Sequence, residues 1–271
     1  MNRCRQIVGL FQVRNEDLFI EQAIANVFNF CDRIVVADHK STDQTSSIVR
    51  GLASRTGRIE YRHVNHASDT HELARQYADT PTWVFPVDGD ELYDADRLPV
   101  LREAILAGQH DKYRQIYGNA LHCVELDRQR QRAKGYLAPP SRTVTKLYNF
   151  NALYDWTGPC MERCHGGRIV FKPGYAEASN LSLYDVCSWD DSPFRLLHVC
   201  FLTRSSGEQG GRCLRPNIME MAQTPLVRRA FQGVLRFFGK KDESRYKREK
   251  YARGPLVECN AEPFFRSRTG W

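Results

Sequence analysis

Apolar residues along the first hundred positions follow two different periods. Continuous apolar runs at residues 4–13, 33–38, 59–64 and 82–87 have the length and composition of strands buried on both faces. Between the runs, apolar residues recur at helical spacing, as they do over residues 20–28. Strands that alternate with helices at this spacing indicate repeated βαβ units. We therefore expect a Rossmann-like, three-layer α/β/α sandwich with a mostly parallel sheet.

The pattern is less regular in the second half of the chain. Residues 112–123 alternate and predict one long strand, whereas residues 125–140 are polar, end in two prolines and predict a loop. A further apolar strand is expected over residues 194–201, where His198 interrupts the run. A lone histidine in such a strand is usually a core residue whose hydrogen bonds are satisfied.

Three of the expected strands end in acidic or amide side chains. Asn15 follows the first strand as a candidate helix N-cap, Asp38 ends the second, and an Asp-Gly-Asp-Glu motif with Asp88 and Asp90 follows the fourth. Open parallel sheets bind ligands beyond the carboxyl ends of their strands. Carboxylate oxygens suit Mg²⁺ or Mn²⁺. The motif alone is equally typical of a solvated turn. The polar residues at the ends of the other two strands, Asn15 and Asp38, favour a binding site instead.

The charge and the cysteine content bear on partners and compartment. A formal charge of +7 and a pI near 9.0 predict anionic partners such as nucleotide phosphates, nucleic acid or an acidic membrane surface. Ten basic residues against three acids lie at positions 226–253, where an amphipathic helix is expected to pack on the domain. Contact with a membrane surface or with nucleic acid is the alternative.

Nine scattered cysteines indicate reduced thiols, and a zinc site at Cys160, Cys164 and His165 is disfavoured because no second pair of ligands accompanies them. No apolar run is long enough to span a membrane, and the N-terminus has no signal-peptide core. We therefore expect a cytoplasmic protein.

The strand-end motifs together resemble those of family-2-like glycosyltransferases of the A-type nucleotide-diphospho-sugar (GT-A) fold, of the bacterial lipopolysaccharide type. The matching motifs are Val-Arg-Asn-Glu at residues 13–16, residues 36–45 after the second strand, and Asp-Gly-Asp-Glu at residues 88–91. Their order and spacing agree as well as their content, over about residues 5–206. The resemblance implies a hexosyltransferase-like enzyme.

The resemblance also implies the domain organisation. A catalytic domain would occupy residues 1–205, with a nucleotide-sugar-binding half at 1–110 and an acceptor half at 111–205. A helical basic extension is expected over residues 206–271.

Five residues would bind the donor by this resemblance: Val13, Asn15, Asp38, Arg75 and Asp88. Asp38 would contact the base or ribose, and Arg75 stands where an arginine of the relatives approaches the donor. The donor would be a nucleoside-diphosphate sugar, with a UDP-sugar as the first expectation.

The metal ligands implied by the resemblance are Asp90, Asp88 and His198, with Mn²⁺ or Mg²⁺ bridging the donor diphosphate. Asp88 would orient either the ribose or a metal-bound water. His39 stands where many relatives have a second acid, so the nucleobase stays open.

Inversion at the sugar carbon requires a carboxylate that takes the acceptor proton. The candidates are Glu162, which ranks first, and Asp190 and Asp191. Glu162 lies where relatives have a His-Glu pair, although Met161 replaces the histidine here.

The acceptor is expected to be a saccharide or glycolipid, with a hydroxylated base in DNA as the alternative. A nucleotidyltransferase is disfavoured because residues 11–15 contain no glycine. A non-catalytic module that binds nucleotide sugars or nucleic acid is a further alternative, and the oligomeric state stays open.

Overall fold

The computed structural model describes residues 4–66, 69–144, 146–157, 168–175, 180–207 and 248–266. These ranges contain fourteen strands and the four α-helices given below, and residues 248–251 are helical as well. The strands are β1 (Gln6–Val13), β2 (Arg33–Asp38), β3 (Ile59–His63), β4 (Thr82–Asp88), β5 (Glu91–Tyr93), β6 (Gln115–Tyr117), β7 (Asn119–Asp127), β8 (Arg132–Ala138), β9 (Lys146–Asn149), β10 (Leu153–Thr157), β11 (Arg168–Phe171), β12 (Leu181–Ser182), β13 (Arg195–His198) and β14 (Leu256–Asn260). The helices are α1 (Ile20–Val27), α2 (Thr45–Thr56), α3 (Asp69–Arg75) and α4 (Leu98–Leu106).

The main sheet has seven strands in the order β12-β6-β9-β4-β1-β2-β3. Strands β4, β1, β2 and β3 are parallel, and β9 is antiparallel to both of its neighbours. Alternate residues of β1 enter two different hydrophobic clusters: Phe11 packs with α1 on one face, and Leu10 packs with Ala74 of α3 on the other. Both faces of the sheet are covered, which confirms the predicted α/β sandwich with a mostly parallel sheet.

A second sheet of five strands, β14-β8-β7-β13-β5, lies beyond β4 in the chain. The single strand expected over residues 112–123 is instead divided at Gly118 between the two sheets. Next to this glycine, the backbone N–H of Asn119 donates to the carbonyl oxygen of Phe194 at 2.9 Å. A Cβ on Gly118 would lie 2.0 Å from the same oxygen, so the close approach requires glycine. Here the chain leaves the main sheet and enters the second.

The segment 125–140, expected to be a loop, instead forms much of a β-hairpin between β7 and β8. Ala133 and Ala138 of β8 are buried, whereas Arg132 is exposed. The charged residues therefore lie on the solvent-facing side of an antiparallel strand pair. Because only the other side is buried, the segment contains many charged residues and resembles a loop in composition.

The C-terminal part of the described chain also differs from the expected extension. Leu256–Asn260 pairs with β8 as the edge strand of the second sheet, and Phe264 is fully buried in the main hydrophobic core. Residues 248–266 thus pack with the α/β fold. The amphipathic segment at 225–238 lies outside the described residues.

Candidate active site

The carboxyl ends of three neighbouring parallel strands form the centre of the site. The strand register places Val13 of β1 beside Asp38 of β2, and Gln12 of β1 beside Asp88 of β4. Three of the positions predicted to bind the donor, Val13, Asp38 and Asp88, thus share one edge of the sheet. The backbone N–H of His39 donates to the Val13 carbonyl oxygen at 2.9 Å and keeps the loops after β1 and β2 together.

Asp38 is fully buried, and both of its carboxylate oxygens accept hydrogen bonds. The backbone N–H of Ser41 donates to Oδ1 at 2.9 Å, the hydroxyl of Tyr61 donates to Oδ2 at 2.9 Å, and the Ser46 hydroxyl also donates to Oδ2. Three donors offset the cost of burying this carboxylate. Its position is therefore defined before any ligand binds.

Asn15 belongs to the loop after β1 and not to the start of the helix, since α1 begins at Ile20. Its backbone has a φ of 53°, a left-handed conformation that asparagine tolerates better than most residues. Its N–H donates to the Ser41 hydroxyl at 2.9 Å, and its side-chain oxygen accepts from the Thr42 N–H at 2.6 Å. Asn15 thus links the two loops, which replaces the expected N-cap role.

The acidic motif turns sharply between β4 and β5. Asp88 is half-buried at the end of β4, whereas Asp90 and Glu91 are each 2% exposed. A Cβ on Gly89 would lie 2.1 Å from Oε2 of Glu16, so the glycine lets the buried Glu16 side chain pack against the turn. The motif is therefore a buried carboxylate cluster and not a solvated turn.

Arg204 contacts this cluster. Its Nη1 forms an ion pair with Oδ2 of Asp90 and lies 3.4 Å from Oε1 of Glu16. The side chain is only 11% exposed, so its charge acts in a poorly screened environment. Arg204 is not among the residues predicted from the sequence, where its position shortly after an apolar strand is the only signal that could have indicated it.

The segment that carries Arg204 also crosses the loops of the donor side. Ser205 donates to Oδ2 of Asp43 at 2.6 Å, and the N–H of Ser206 donates to Oδ1 of Asp17 at 2.7 Å. Burial alone would raise the pKa of Asp43, but hydrogen bonds from Ser205 and Thr45 outweigh it and hold the pKa below its usual value. The chain after β13 is therefore part of the site.

His198 ends β13, with its Nε2 3.7 Å from Oδ2 of Asp90. Its Nδ1 lies 2.8 Å from Nδ1 of His122 on β7, and Nε2 of His122 lies 2.9 Å from the carbonyl oxygen of Arg142. Burial, together with the neighbouring His198, lowers the pKa of His122 to about 3. His122 is not among the residues predicted from the sequence, although it interrupts an apolar strand as His198 does.

The pair of Asp90 and His198 suits a divalent cation. Two ligands at about 2.1 Å from one ion lie about 3–4 Å apart, and the observed separation of 3.7 Å falls in that range. Both residues are buried, with side chains at most 7% exposed, and a carboxylate with an imidazole is a common donor set for Mn²⁺. These residues therefore fit the metal that the sequence predicts, and Asp88 lies two positions from Asp90 on the same turn.

Arg75 lies at the end of α3 and contacts acids outside this cluster. It donates to Glu72 at 2.8 Å and to the Trp156 carbonyl at 3.1 Å, and it pairs with Asp155. Its guanidinium also stacks over the Trp156 ring at 4.6 Å. These contacts connect α3 to β10.

Asp190 and Asp191 lie before the start of β13, at the end of the strand opposite His198. Asp190 is 3.4 Å from Arg195, and Asp191 accepts from the Ser188 hydroxyl at 2.7 Å. His198 lies three positions after Arg195 along the strand, which corresponds to about 10 Å. The structure therefore does not bring these two acids to the carboxylate cluster.

Glu162, the first candidate for the base, lies outside the described residues, as do Cys160, Cys164 and His165. Among the described residues, the one group of three or more His, Cys, Asp or Glu side chains with metal-ligand spacing is His122, His198 and Cys200, whose ligand atoms lie within 4.8 Å of one another. None of the described helices has the length and hydropathy required to cross a bilayer.

Comparisons with solved structures give weak likenesses. The chain is similar to a mannosyltransferase from Pyrobaculum calidifontis in complex with GDP-Man and Mn²⁺, at 22% identity and a TM-score of 0.33, over 45% of this chain and 36% of that one. It is similar to GalNAc-T7 with UDP, GalNAc and Mn²⁺, at 10% identity and a TM-score of 0.41, over 75% of this chain and 45% of that one. The chain is also similar to a 4-diphosphocytidyl-2C-methyl-D-erythritol synthase from Anaerococcus prevotii, at 13% identity and a TM-score of 0.34, over 55% of this chain and 72% of that one. The match thus spans less than half of the first two proteins.

Curated proteins gave no match. The model of the family described as glycosyl transferase family 2 matches residues 12–177, which is more than half of the chain and contains the loop after β1, Asp38 and the acidic motif. The chain belongs to glycosyl transferase family 2.

Proposed function

We propose that this protein is a metal-dependent glycosyltransferase that moves a sugar from a nucleoside-diphosphate sugar to an acceptor hydroxyl, with inversion at the sugar carbon. The observation that carries the proposal is the buried pair of Asp90 and His198, 3.7 Å apart, beside the carboxyl ends of the parallel strands. Family membership supports the same class of reaction.

The donor nucleoside is proposed to bind at the ends of β1 and β2, against Val13, Asn15 and Asp38. Asp38 is held by three hydrogen bonds, so contacting the base or ribose requires no reorganisation of the carboxylate. Arg75 is retained as a donor-facing residue, and its pairing with Asp155 means that it would bind the donor only after exchanging that contact. A UDP-sugar is the first donor to test.

Asp90 and His198, with Asp88 on the same turn, would hold Mn²⁺ or Mg²⁺. When bound, the ion supplies positive charge that stabilises the departing nucleoside diphosphate. Arg204 contributes a second, fixed positive charge at the same place, since it already contacts Asp90 and Glu16. The site would thus combine a bound divalent cation with a guanidinium that is already in place before the donor binds.

The acceptor hydroxyl must lose its proton to a carboxylate. Asp190 and Asp191 lie at the far end of β13 from His198, which disfavours them in the arrangement described. Glu162 is therefore the candidate that we retain. The Glu162→Gln variant, in which an amide replaces the carboxylate, should no longer transfer the sugar to the acceptor but should still bind the donor.

The acceptor is proposed to be a saccharide or glycolipid. The basic residues at 226–253 are the reason to include duplex DNA with hydroxylated bases in any acceptor panel.

The proposal is tested with UDP-, GDP-, TDP- and CMP-linked sugars in Mn²⁺ and in EDTA, measuring release of the nucleotide with each acceptor. We expect release from one donor class, abolished by EDTA, and a product with inverted anomeric configuration by NMR. Binding of a donor without release under any condition would instead support a non-catalytic module. A retained configuration would contradict the inverting mechanism.

A further inference from the structure

Two buried histidines face each other on neighbouring parallel strands. The register pairs His122 of β7 with His198 of β13, and their Nδ1 atoms lie 2.8 Å apart. His122 is fully buried and His198 is 5% exposed. A separation of 2.8 Å between two ring nitrogens is a hydrogen bond in which one nitrogen donates and the other accepts.

The outer contact of His122 decides which nitrogen donates. Its Nε2 lies 2.9 Å from the carbonyl oxygen of Arg142, and a carbonyl oxygen can only accept, so Nε2 carries a proton. A second proton on this ring would create a cation with no solvent exposure. Nδ1 of His122 is therefore an acceptor, and Nδ1 of His198 is the donor.

This arrangement fixes the other side of the His198 ring. With its proton on Nδ1, a neutral His198 has a lone pair on Nε2, and that atom lies 3.7 Å from Oδ2 of Asp90. A lone pair and a carboxylate oxygen repel each other, and positive charge offsets this repulsion, either from Arg204, which pairs with Oδ2 of Asp90, or from a divalent cation between the two atoms. The hydrogen-bond chain from Arg142 to His198 thus prepares a nitrogen ligand opposite an oxygen ligand.

We propose that His122 is a positioning residue that holds His198 in the Nδ1–H tautomer, so that Nε2 of His198 and Oδ2 of Asp90 bind the same divalent cation. The inference rests on the proposed metal-dependent function. Hydrogen bonds to the outer nitrogen of a metal-binding histidine fix the tautomer and the ring orientation in this way.

The described C-terminal residues hold the Arg142 end of this series of hydrogen bonds in place. The Tyr251 ring lies 4.6 Å from the ring of His122 and 5.3 Å from that of His198. Ser141 donates to the Tyr251 carbonyl at 3.0 Å, and the N–H of Arg142 donates to the Lys250 carbonyl at 3.0 Å. The peptide that accepts from His122 is therefore anchored from the opposite side.

A different use of the same atoms would be an ion held by His122, His198 and the Cys200 thiolate. Two nitrogens on one tetrahedral ion lie about 3.3 Å apart, whereas the two Nδ1 atoms are at hydrogen-bonding distance. The geometry favours the hydrogen bond. A Cys200→Ser variant separates the two arrangements, because only the thiolate site needs the sulfur.

The test is Mn²⁺ affinity, measured by calorimetry in the absence of donor, for wild type, His122→Leu, His122→Asn and Cys200→Ser. We expect His122→Leu to weaken binding by about 10–100-fold. His122→Asn should stay within about threefold, because its side-chain oxygen can accept from Nδ1 of His198. Cys200→Ser should bind as wild type does.

Unchanged affinity in His122→Leu, with wild type binding Mn²⁺, would overturn this inference alone. Equal weakening in Cys200→Ser would also overturn it, in favour of the thiolate site. If wild type does not bind Mn²⁺, the metal-dependent function fails and this inference fails with it. The ¹⁵N shifts of His198 in the wild-type protein test the tautomer without any variant: a protonated Nδ1 is expected, and a protonated Nε2 with bare Nδ1 would contradict the inference.

Discussion

Replacing Arg204 with methionine removes the guanidinium that lies between Asp90 and Glu16. The side chains of these two acids are 3% and 7% exposed, so they would lose a counter-charge without gaining water. Breaking a buried ion pair in this way costs about 3–5 kcal/mol. At about 2–4 °C for each kcal/mol, the melting temperature in EDTA should fall by roughly 10 °C.

Mn²⁺ should reverse part of this loss, because a cation held by Asp90 and His198 replaces charge that the variant lacks. The assay is thermal unfolding of wild type, Arg204→Met and Arg204→Lys in EDTA and in Mn²⁺. The lysine variant keeps a positive charge and should melt between the other two. Arg130→Met, which alters an arginine with a side chain 84% exposed, is the matched control and should melt as wild type does.

Two results would refute this reasoning. If Arg204→Met melts with wild type in EDTA, Arg204 does not neutralise the buried carboxylates. If Mn²⁺ raises both melting temperatures equally, the cation site and Arg204 do not share Asp90.

Three further predictions concern stability. Gly118→Ala should lower the free energy of unfolding in urea by about 1–3 kcal/mol or more, since the new Cβ would lie 2.0 Å from a backbone oxygen. An unchanged urea midpoint would contradict the close backbone approach where the chain passes between the two sheets. Gly51→Ala, within α2 and with no atom closer than 4.0 Å to the new Cβ, should instead stabilise the protein by about 1 kcal/mol; a lower midpoint would show a clash that the structure lacks. The pKa of His122, about 3 in the folded state and about 6.5 unfolded, means that the unfolded chain binds more protons below about pH 6.5. In EDTA, stability should therefore fall by about 1 kcal/mol from about pH 7.5 to about pH 5.5, and His122→Asn should remove this part of the pH dependence.

The first half of the fold could be predicted from the sequence because strands buried on both faces leave continuous apolar runs. The run at residues 33–38 coincides with β2, and that at 82–87 falls one residue short of β4. Helix and strand periods are local properties, so the order of the elements and the parallel sheet follow from them. The shared position of Asp38 and Asp88 at one sheet edge follows in turn.

The rest depends on contacts that no local pattern encodes. Arg204 meets Asp90 across 114 positions of sequence, and His122 meets His198 across 76. The β7–β8 hairpin was missed because its outer face is charged, and the break at Gly118 because the carbonyl that requires it belongs to Phe194. In each case the partner, not the residue itself, determines the role.

The measurement that tests the central claim most directly is cleavage of the preferred nucleotide sugar in Mn²⁺ by wild type, Asp90→Asn and Asp185→Asn. Asp185 is an exposed acid on a 3₁₀ turn, so the same substitution there controls for the loss of one charge. We predict that Asp90→Asn lowers the rate by about 100-fold or more and that Asp185→Asn keeps the wild-type rate. Wild-type cleavage by Asp90→Asn would contradict the account, as would a wild-type protein that cleaves no nucleotide sugar.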